Sequence, residues 1–579
     1  MNVTTGSTTG TGPCPPHPRA ADTADRGGPW AALRRLDAGL RAWLGASRLR
    51  FVLAFATVLI AGYNLRFWQE TFATLGEPAA KDLLFLVALA LILIVVHALL
   101  LLLAPGRRLP AFLAALLCLV AAIVAYFSDA YGVYFDKDML RNVFQTDAAE
   151  TAGLLSGRLF AWFLLLGALP ATFLARVRLP EESWRQRLGT GGLAFAGGLA
   201  FVAALALGFS AHLAAFLREH KPLRYLVNPV NVIYGSVHLA LADASGTRTL
   251  RDIEGPVQRV AGGTGTKPLL VFLVVGETAR AASFELGGYE RPTNPRLSHE
   301  PGVVYFSKAR SCGTSTALSL PCMFSHLGRE RFDAEEARYQ TQLLDTLARG
   351  GVDVEWRDNN SGCKHVCDRV RHVDYREHPR GGLCAGELCF DEVMLQGLEG
   401  ELRGLRRDTL IVFHQAGSHG PAYAERYPPA FETFAPTCRS PELGRCERQA
   451  VVNAYDNTIL YTDHNLARQI ELLKAFESEF DSLLIYVSDH GESLGENGLY
   501  LHAAPYFMAP DEQTHVPLLM WMSSGYRQRA GLDSACLRKR ATAPASHDDI
   551  YHTVLAALRL RNAAYQRQQD LLASCRRGW

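Results

Sequence analysis

The sequence predicts two unlike domains: an N-terminal α-helical membrane domain of five transmembrane helices and a C-terminal α/β domain outside the cytoplasm. Apolar residues crowd between positions 49 and 217, whereas the chain from residue 266 alternates short apolar strands with helical stretches. Ten of the 12 cysteines lie beyond residue 310. The 579 residues exceed one ordinary compact domain. The formal net charge of +2 provides no basic field that would favour nucleic acid as a partner.

Residues 1–48 are predicted to form a cytoplasmic N-terminal segment. The first 28 residues are rich in Thr, Gly, Pro and Ser without an apolar period, which is typical of disorder. No apolar core with a small-residue cleavage site follows Met1, so this stretch does not resemble a cleaved signal peptide. From Trp30 to Leu44, leucines are interspersed with arginines, which predicts an amphipathic helix on the cytoplasmic membrane face.

Five apolar segments have about the length that a helix needs to cross the hydrocarbon of a bilayer. They cover residues 50–68, 83–104, 110–127, 159–175 and 191–216. Arginines precede the first segment and fill the second and fourth connections, whereas acidic residues concentrate in the third connection. The positive-inside rule therefore places the N-terminus in the cytoplasm, and an odd number of spans places the C-terminal domain on the opposite side.

The cysteines of the C-terminal domain predict an oxidising compartment. Eight of them fall into close pairs: Cys312/Cys322, Cys363/Cys367, Cys384/Cys389 and Cys438/Cys446. A zinc ribbon would need a second cysteine pair at matching spacing, so four unequal short loops fit disulfides better. Cys536 and Cys575 could form a fifth pair.

The connection after the third span is long enough for structure of its own. Residues 138–155 are predicted to form one helix, on which Asn142, Thr146 and Glu150 share a face because they are spaced by four. A polar stripe beside a membrane could hold a lipid headgroup. From the residues alone, an ordinary solvated helix face explains the stripe better.

Residues 218–265 are predicted to bridge the domains. Apolar residues from Leu223 to Ala242 have helical spacing, interrupted by Pro229, and residues 261–266 have the composition of a flexible linker. The remaining residues, 266–579, alternate predicted strands with predicted helices, which indicates an α/β fold with a largely parallel sheet. The strands are 269–275, 409–414, 483–488 and 516–521, and the helices are 341–349, 454–474 and 548–558.

Two of these strands end in potential metal ligands. Residues 271–275 are followed by Gly276 and Glu277, and residues 483–488 are followed by Asp489 and His490. The carboxyl ends of strands in open α/β sheets are where ligands and catalytic groups collect. Carboxylates and imidazoles are common zinc ligands. Two buried strands with polar ends are the plainer explanation, but the segments between them favour one metal site.

The segment from Cys312 to Cys322 supplies hydroxyl groups between these strands. Its Gly-Thr-Ser-Thr sequence suits a turn into a helix N-terminus, where free backbone N–H groups favour an anion. A hydroxyl there becomes a nucleophile if a metal lowers its pKa, and otherwise it merely caps the helix. Composition alone does not choose between Thr314 and Thr316. His419 and His502, each in a loop near a strand, add imidazoles to the candidate site.

Five motifs, in this order, together resemble one family. They are Gly-Glu-Thr-Ala-Arg at 276–280, Cys-Gly-Thr-Ser-Thr-Ala at 312–317, Asp-Asn-Asn-Ser-Gly-Cys-Lys at 358–364, Gly-Ser-His-Gly-Pro at 417–421 and Ser-Asp-His-Gly-Glu-Ser-Leu-Gly-Glu-Asn-Gly at 488–498. The chain resembles the phosphoethanolamine transferases that act on lipid A, a group that includes the mobile colistin-resistance enzymes. The resemblance extends from the first span past His547 and omits only the N-terminal extension.

The resemblance implies a set of roles for particular residues. It implies an alkaline-phosphatase/sulfatase-like C-terminal domain with a zinc site at Glu277, Thr316, Asp489 and His490, with Thr316 as the nucleophile. Asn360, Lys364, His419 and His502 would lie near the phosphate, with a second zinc there as a further option. Asn142, Thr146 and Glu150 would contact the donor headgroup, which reverses the preference drawn from composition.

The resemblance also implies a reaction and a location. Thr316 would take phosphoethanolamine from phosphatidylethanolamine and pass it to a lipid A phosphate, which lowers the negative charge that attracts polymyxins. We expect a monomer in the bacterial inner membrane with its catalytic domain in the periplasm. Three alternatives remain open: a phosphatase-like or sulfatase-like hydrolase, a glycerophosphate polymer synthase with a five-span anchor, and a membrane sensor with a degenerate site.

Overall fold

The computed structural model describes residues 29–75, 80–146, 148–243, 249–260, 266–377, 382–385 and 388–577. Within these ranges the first half of the chain is helical. Its helices are α1 (Pro29–Gly45), α2 (Arg48–Gly62), α3 (Leu65–Ala73), α4 (Ala80–Leu102), α5 (Leu109–Tyr131), α6 (Lys137–Gln145), α7 (Ala148–Leu154), α8 (Gly157–Ala175), α9 (Trp184–Gly208), α10 (Ser210–Glu219) and α11 (Val230–Asp243). The predicted disordered segment 1–28 and most of the predicted linker 261–266 lie outside the described residues.

Four helices, α4, α5, α8 and α9, are long and apolar enough to cross a membrane. They correspond to the second to fifth predicted spans. Helices α1 and α2 meet at 115°, and as one bent unit they would make a fifth span. The described part of the chain therefore has four or five helices of this kind, in agreement with the predicted membrane domain.

The first predicted span, residues 50–68, is not one continuous helix. It is divided between α2 and α3 at Asn64. The side-chain amide of Asn64 donates to the carbonyls of Leu59 and Asn228, each at 3.0 Å, and its Oδ1 accepts from the backbone N–H of Asn228 at 2.7 Å. A buried asparagine that bonds to the backbone in this way competes with helical hydrogen bonds. Apolar content alone did not reveal the break.

Small residues let the membrane helices approach one another. The face of α5 that carries Ala114, Ala121 and Ala125 is almost fully buried, and α5 packs against α2, α4 and α8. Lipid chains are as apolar as leucine, so membrane helices gain from close van der Waals contact between small side chains rather than from burial alone.

The helix predicted over residues 138–155 is wrong as a single element. It is divided into α6 and α7 at Thr146, whose backbone is extended (ψ 131°). The Thr146 hydroxyl donates to the carbonyl of Asn142 at 2.8 Å, which satisfies one of the free carbonyls at the end of α6. Asn142, Thr146 and Glu150 therefore do not form one continuous helical stripe.

The C-terminal domain is built on a mixed sheet of eight strands with the spatial order β8-β2-β7-β6-β1-β5-β3-β4. In chain order the strands are β1 (Leu269–Gly276), β2 (Val304–Arg310), β3 (Asp353–Asp358), β4 (Arg371–Asp374), β5 (Thr409–His414), β6 (Asp481–Ser488), β7 (His515–Met522) and β8 (Ala545–Ser546). Strand β7 runs antiparallel to both neighbours, β2 and β6, and the other pairings are parallel. The predicted α/β fold, with four strands predicted from sequence, is confirmed.

Alternate residues of β1 enter two separate cores. Val271 and Leu273 pack on one face of the sheet, whereas Leu270 and Phe272 pack on the other, and all four are fully buried. The period of two follows from strand geometry, and burial on both faces explains the continuous apolar run. Helices cover both faces. They are α12 (Thr316–Met323), α13 (Gly328–Arg331), α14 (Ala334–Ala337), α15 (Leu343–Arg349), α16 (Leu398–Leu402), α17 (Arg448–Ala475), α18 (Asp511–Thr514), α19 (Ser524–Arg529), α20 (Ser534–Arg540) and α21 (Asp548–Ala557).

The four predicted disulfides are present in the C-terminal domain. A fifth one joins Cys536 to Cys575, which the sequence had only suggested. The bonded pairs are Cys312–Cys322, Cys363–Cys367, Cys384–Cys389, Cys438–Cys446 and Cys536–Cys575. The first of these ties the loop before α12, the helix that begins at Thr316, to the last turn of that helix.

A partly buried ion pair joins the two domains. Arg141 of α6 is only 7% exposed, and its Nε donates to Oε1 of Glu335 on α14 at 3.0 Å. Its Nη1 donates to Asp138 Oδ1 at 2.6 Å. Because α6 also packs against α12, this pair helps to fix α6 of the first domain against the helix that begins at Thr316.

Candidate active site

Three neighbouring parallel strands end at the same edge of the sheet and deliver the polar residues of the site. Gly276, the last residue of β1, is opposite Ser488 of β6, and Val275 of β1 is opposite His414 of β5. The residues that follow these strands therefore meet: Glu277 after β1 and Asp489 after β6. This is the edge at which open α/β sheets collect their ligands.

Glu277, Asp489 and His490 form a compact and completely buried group. One ligand atom from each lies within 4.8 Å of the others. Thr316 completes the group, because its Oγ1 lies 3.2 Å from both carboxylate oxygens of Glu277 and 3.3 Å from Nε2 of His490. The structure thus brings together the four residues that the sequence predicts as one zinc site.

The hydroxyl of Thr316, and not that of Thr314, faces this group. Thr314 Oγ1 donates to the carbonyl of Ala504 at 2.7 Å, and Ser319 Oγ accepts from the backbone N–H of Gly313 at 2.9 Å. Both of those hydroxyls hold the loop in place. Thr316 is the first residue of α12, where unpaired backbone N–H groups add partial positive charge beside its oxygen.

The turn after β1 has unusual backbone geometry. Thr278 has φ +57°, in the left-handed region that β-branched residues rarely adopt. In this conformation its N–H donates to Asp489 Oδ1 at 3.0 Å and its hydroxyl donates to Glu277 Oε1 at 2.6 Å. Gly417 approaches the same turn so closely that a Cβ there would lie 2.7 Å from the carbonyl oxygen of Glu277. Backbone strain of this kind is concentrated at functional sites.

The chemistry of the buried group fits a divalent cation. Oδ2 of Asp489 is buried and has no hydrogen-bond partner among the described residues. Burial and the neighbouring carboxylate of Glu277 raise the pKa of Asp489. His490 Nδ1 lies 2.9 Å from the carbonyl of Gly491 and donates to it, so Nε2 is the ring nitrogen that a metal ion would bind. Two adjacent buried carboxylates and the imidazole nitrogen that faces them, His490 Nε2 at 3.3–3.4 Å, match the oxygen and nitrogen ligands of zinc.

His419 and His502 lie beside the buried group formed by Glu277, Asp489 and His490. The ring of His502 is 4.4 Å from that of His490 and 5.5 Å from that of His419, measured between centroids. His502 Nδ1 lies 2.8 Å from Glu492 Oε2, and Tyr423 donates to the other oxygen of Glu492 at 2.5 Å. Burial raises the pKa of Glu492 to about 8. Glu492 therefore orients His502 toward the site.

Asn360 and Lys364 lie on the loop after β3. The Asn360 amide donates to Glu277 Oε2 at 2.6 Å, so it contacts one of the candidate metal ligands directly. Lys364 Nζ donates to the carbonyl of Ser361 at 2.8 Å and to that of Gln145, at the end of α6, at 3.4 Å. Lys364 thus lies at the junction of the two domains.

A cavity of about 700 Å³ connects the membrane helices to this site. His419 and His502 of the C-terminal domain line it together with Asn142 and Thr146 of the N-terminal domain. The rest of the lining is largely apolar side chains of α5, α6, α7 and α8, including Phe160. The side chain of Glu150 lies outside the described residues, so its predicted contact is untested.

Sequence reasoning missed residues that hold the site together. His547 Nδ1 accepts from the N–H of Cys312 at 3.1 Å, and its Nε2 lies 2.9 Å from the carbonyl of Ser488, to which it donates. Burial lowers the pKa of His547 to about 4, so the ring stays neutral and bonds to both segments. The only sequence signal was its position just before α21. Glu492 was visible within the Asp-His-Gly-Glu motif, but nothing in that motif linked it to His502.

Comparison with known proteins gives the same division of the chain. Residues 270–560 match the family model described as Sulfatase, and residues 84–244 match the model described as Phosphoethanolamine transferase EptA/EptB. Phosphoethanolamine transferase EptA of Salmonella typhimurium is 38% identical over 552 residues, which covers 94% of this chain and 98% of that protein. Phosphatidylethanolamine transferase Mcr-1 of Escherichia coli is 40% identical over 496 residues, which covers 83% and 91%.

A solved structure resembles nearly the whole chain. The integral membrane protein lipooligosaccharide phosphoethanolamine transferase A from Neisseria meningitidis superposes with a TM-score of 0.88 at 35% identity. The superposition covers 92% of this chain and 99% of that one. The crystal structure of its soluble domain matches 57% of this chain at 43% identity, with a TM-score of 0.55.

Proposed function

This chain belongs to the phosphoethanolamine transferase EptA/EptB family, and from that premise we propose that it transfers phosphoethanolamine from phosphatidylethanolamine to a lipid A phosphate. Its N-terminal helices lie in the inner membrane and its sulfatase-like domain lies in the periplasm. We divide the chain into a cytoplasmic segment (1–48), a transmembrane domain (49–217), a bridge (218–265) and a catalytic domain (266–579).

The cavity between the domains is the observation that carries this proposal. One wall consists of apolar side chains of membrane helices, and the other ends at His419 and His502 beside Thr316. A diacyl lipid has the same two-part character, with apolar chains and a phosphate headgroup. Such a cavity suits a donor that enters from the bilayer and presents its phosphorus to Thr316. A water-soluble donor would not need the apolar wall.

In the first displacement, Thr316 Oγ1 bonds to the phosphorus of phosphatidylethanolamine while the bond from phosphorus to the diacylglycerol oxygen breaks. The proton lost by Thr316 ends on the diacylglycerol oxygen, and His419 and His502 are placed to hold it. Phosphoryl chemistry depends mainly on positioning and on neutralising charge. We assign that positioning at the phosphate oxygens to Asn360 and Lys364, and at the ethanolamine headgroup to Asn142, Thr146 and Glu150.

In the second displacement, an oxygen of a lipid A phosphate bonds to the same phosphorus, and Thr316 Oγ1 leaves and regains a proton. Glu277, Thr316, Asp489 and His490 would hold one zinc ion, and a second could lie near the phosphate. When bound, zinc lowers the pKa of a hydroxyl and neutralises charge on phosphate oxygens. The added ammonium group offsets a lipid A negative charge, which weakens attraction for cationic peptides such as polymyxins.

Reconstitution tests donor and acceptor together. The purified full-length chain, loaded with zinc in detergent micelles, is mixed with lipid A and phosphatidylethanolamine whose ethanolamine carries deuterium. We expect labelled lipid A heavier by one phosphoethanolamine group, and an equal amount of diacylglycerol. Labelled phosphoethanolamine in water without modified lipid A would instead make the chain a hydrolase. Transfer of glycerophosphate from phosphatidylglycerol, with no use of phosphatidylethanolamine, would indicate a polymer synthase.

The interdomain ion pair offers a test of how α6 positions the donor. We expect Arg141→Ala or Glu335→Ala to lower kcat/KM for phosphatidylethanolamine by about tenfold, because either change removes the ion pair that ties α6 to the C-terminal domain. The double variant should be no worse than Arg141→Ala alone, since that change already removes the pair with Glu335 together with the pair with Asp138.

Glu336→Ala is the matched control for this pair. Glu336 lies next to Glu335 on α14 but forms an exposed pair with Arg251, in which both side chains are at least half exposed. Exposed pairs contribute little, so kcat/KM should change by less than about twofold. Fully additive losses for Arg141 and Glu335 would show that the two residues act separately.

A further inference from the structure

Three arginines surround a second cleft, far along the chain from the catalytic residues. The cleft has a volume of about 380 Å³ and is lined by Arg41 of α1 and by Arg176 and Arg178, which follow α8. Small residues of α1, among them Ala38, Ala42 and Gly45, also line the cleft. Gly45 permits this packing, because a Cβ there would lie 2.7 Å from the carbonyl oxygen of Arg178.

The backbone after α8 holds two of these arginines toward the same side. Residues 176–179 alternate between exposed and buried, and Val177 and Leu179 are only 1% and 2% exposed in the core of the membrane domain. Burial of Val177 and Leu179 anchors this segment, and the exposed residues Arg176 and Arg178 both line the cleft. The arrangement is fixed by the core and does not depend on the arginines themselves.

The cleft carries excess positive charge. Arg41 pairs with Asp37 of its own helix. Arg176 and Arg178 form no ion pair with any of the residues that the structure describes. The neighbouring cleft at Arg48 and Arg187 differs, because Glu182 lies 3.5 Å from Arg48 there and both arginines donate to the carbonyl of Ala104. Of these two clefts, the one lined by Arg176 and Arg178 therefore has guanidinium groups that are available to bind an anion.

We propose that this cleft binds the phosphate of an anionic glycerophospholipid in the cytoplasmic leaflet. The connection between α8 and α9 faces the cytoplasm if the catalytic domain is periplasmic. Guanidinium groups match phosphate geometry, and clustered basic residues at this level attract anionic lipids. Beside the cleft, α1 exposes Leu36, Leu40 and Trp43, which acyl chains would cover. A zwitterionic headgroup fits less well, because its ammonium would meet the same arginines.

Native mass spectrometry of the full-length chain, stripped of lipid in detergent, tests this inference with phosphatidylglycerol and phosphatidylethanolamine of identical acyl chains. We expect the first molecule of phosphatidylglycerol to bind to the chain about tenfold more tightly than the first molecule of phosphatidylethanolamine. The variant Arg176→Gln/Arg178→Gln should lose that preference, with its affinity for phosphatidylglycerol falling about 20-fold. Its basal transferase activity should stay unchanged, which shows that the variant is folded.

The variant Arg108→Gln/Arg185→Gln is the matched control, because it removes two exposed arginines from the same side of the membrane domain but outside the cleft. It should lose less than about threefold in affinity. An equal loss in both variants would overturn the proposal in favour of a general surface charge. Displacement of the lipid by millimolar inorganic phosphate would overturn it too, since the site would then hold any phosphate without needing the lipid.

Discussion

Thr316→Ala is expected to abolish phosphoethanolamine transfer, with a fall in kcat on the order of 10⁴-fold or more. Loss of a nucleophile removes the covalent route as a whole, and the remaining groups then contribute little of the original rate. Thr316 is the residue whose hydroxyl lies within 3.3 Å of both Glu277 and His490. The measurement is the rate at which labelled phosphoethanolamine appears on lipid A. A trapped adduct on the peptide containing Thr316 should appear when lipid A is omitted and vanish in the variant.

Thr314→Val is the matched control for this prediction. Thr314 lies two residues away on the same loop, but its hydroxyl donates to the carbonyl of Ala504 and only holds the loop. Its loss should reduce kcat by less than about 30-fold, the effect of a single lost hydrogen bond. Thr316→Ser should keep measurable activity because it keeps the hydroxyl. Full activity in Thr316→Ala, or an adduct on Thr314 instead, would contradict the assignment.

The contrast between Thr314 and Thr316 separates what could be predicted from the sequence from what required the structure. Apolar runs that end in Glu277 and Asp489 predicted two buried strands whose carboxyl ends contribute to one site. The structure adds that these strands are neighbours, with Gly276 of β1 opposite Ser488 of β6. The choice of Thr316 over Thr314 depended on resemblance to a family. In the structure the same choice follows from hydrogen bonds, which composition does not contain.

The features that the sequence did not predict depend on particular polar contacts, two of which join residues far apart along the chain. Asn64 bonds to Asn228 across 164 residues and interrupts the first predicted span. Thr146 ends α6 through a bond to its own helix, so the predicted stripe is divided. His547 joins the start of the nucleophile loop to the end of β6. A hydropathy period reports which face of an element is buried, but it does not report which polar partner that face meets.

Asp489→Asn is expected to reduce bound zinc from about one ion per chain to less than about a tenth of that value, and to lower kcat by about 10³-fold. The change keeps the size of the side chain and removes one of two buried carboxylates that would bind the cation. Elemental analysis of the purified chain measures the metal directly, without relying on activity. Glu399→Gln is the control, because Glu399 is 64% exposed in a surface pair with Arg403 and should change neither value.

Thermal stability separates a metal site from a merely structural cluster, because the sign of the effect reverses. In zinc, wild type should be the more stable protein, since a bound ligand stabilises the folded state. After chelation, Asp489→Asn should be the more stable by roughly 1–2 kcal/mol, since it relieves repulsion between two buried carboxylates and supplies a neutral side chain. A structural cluster without metal would lose stability in the variant under both conditions. That outcome would leave Thr316 without the cation that its chemistry requires, and it would contradict both the metal site and the proposed mechanism.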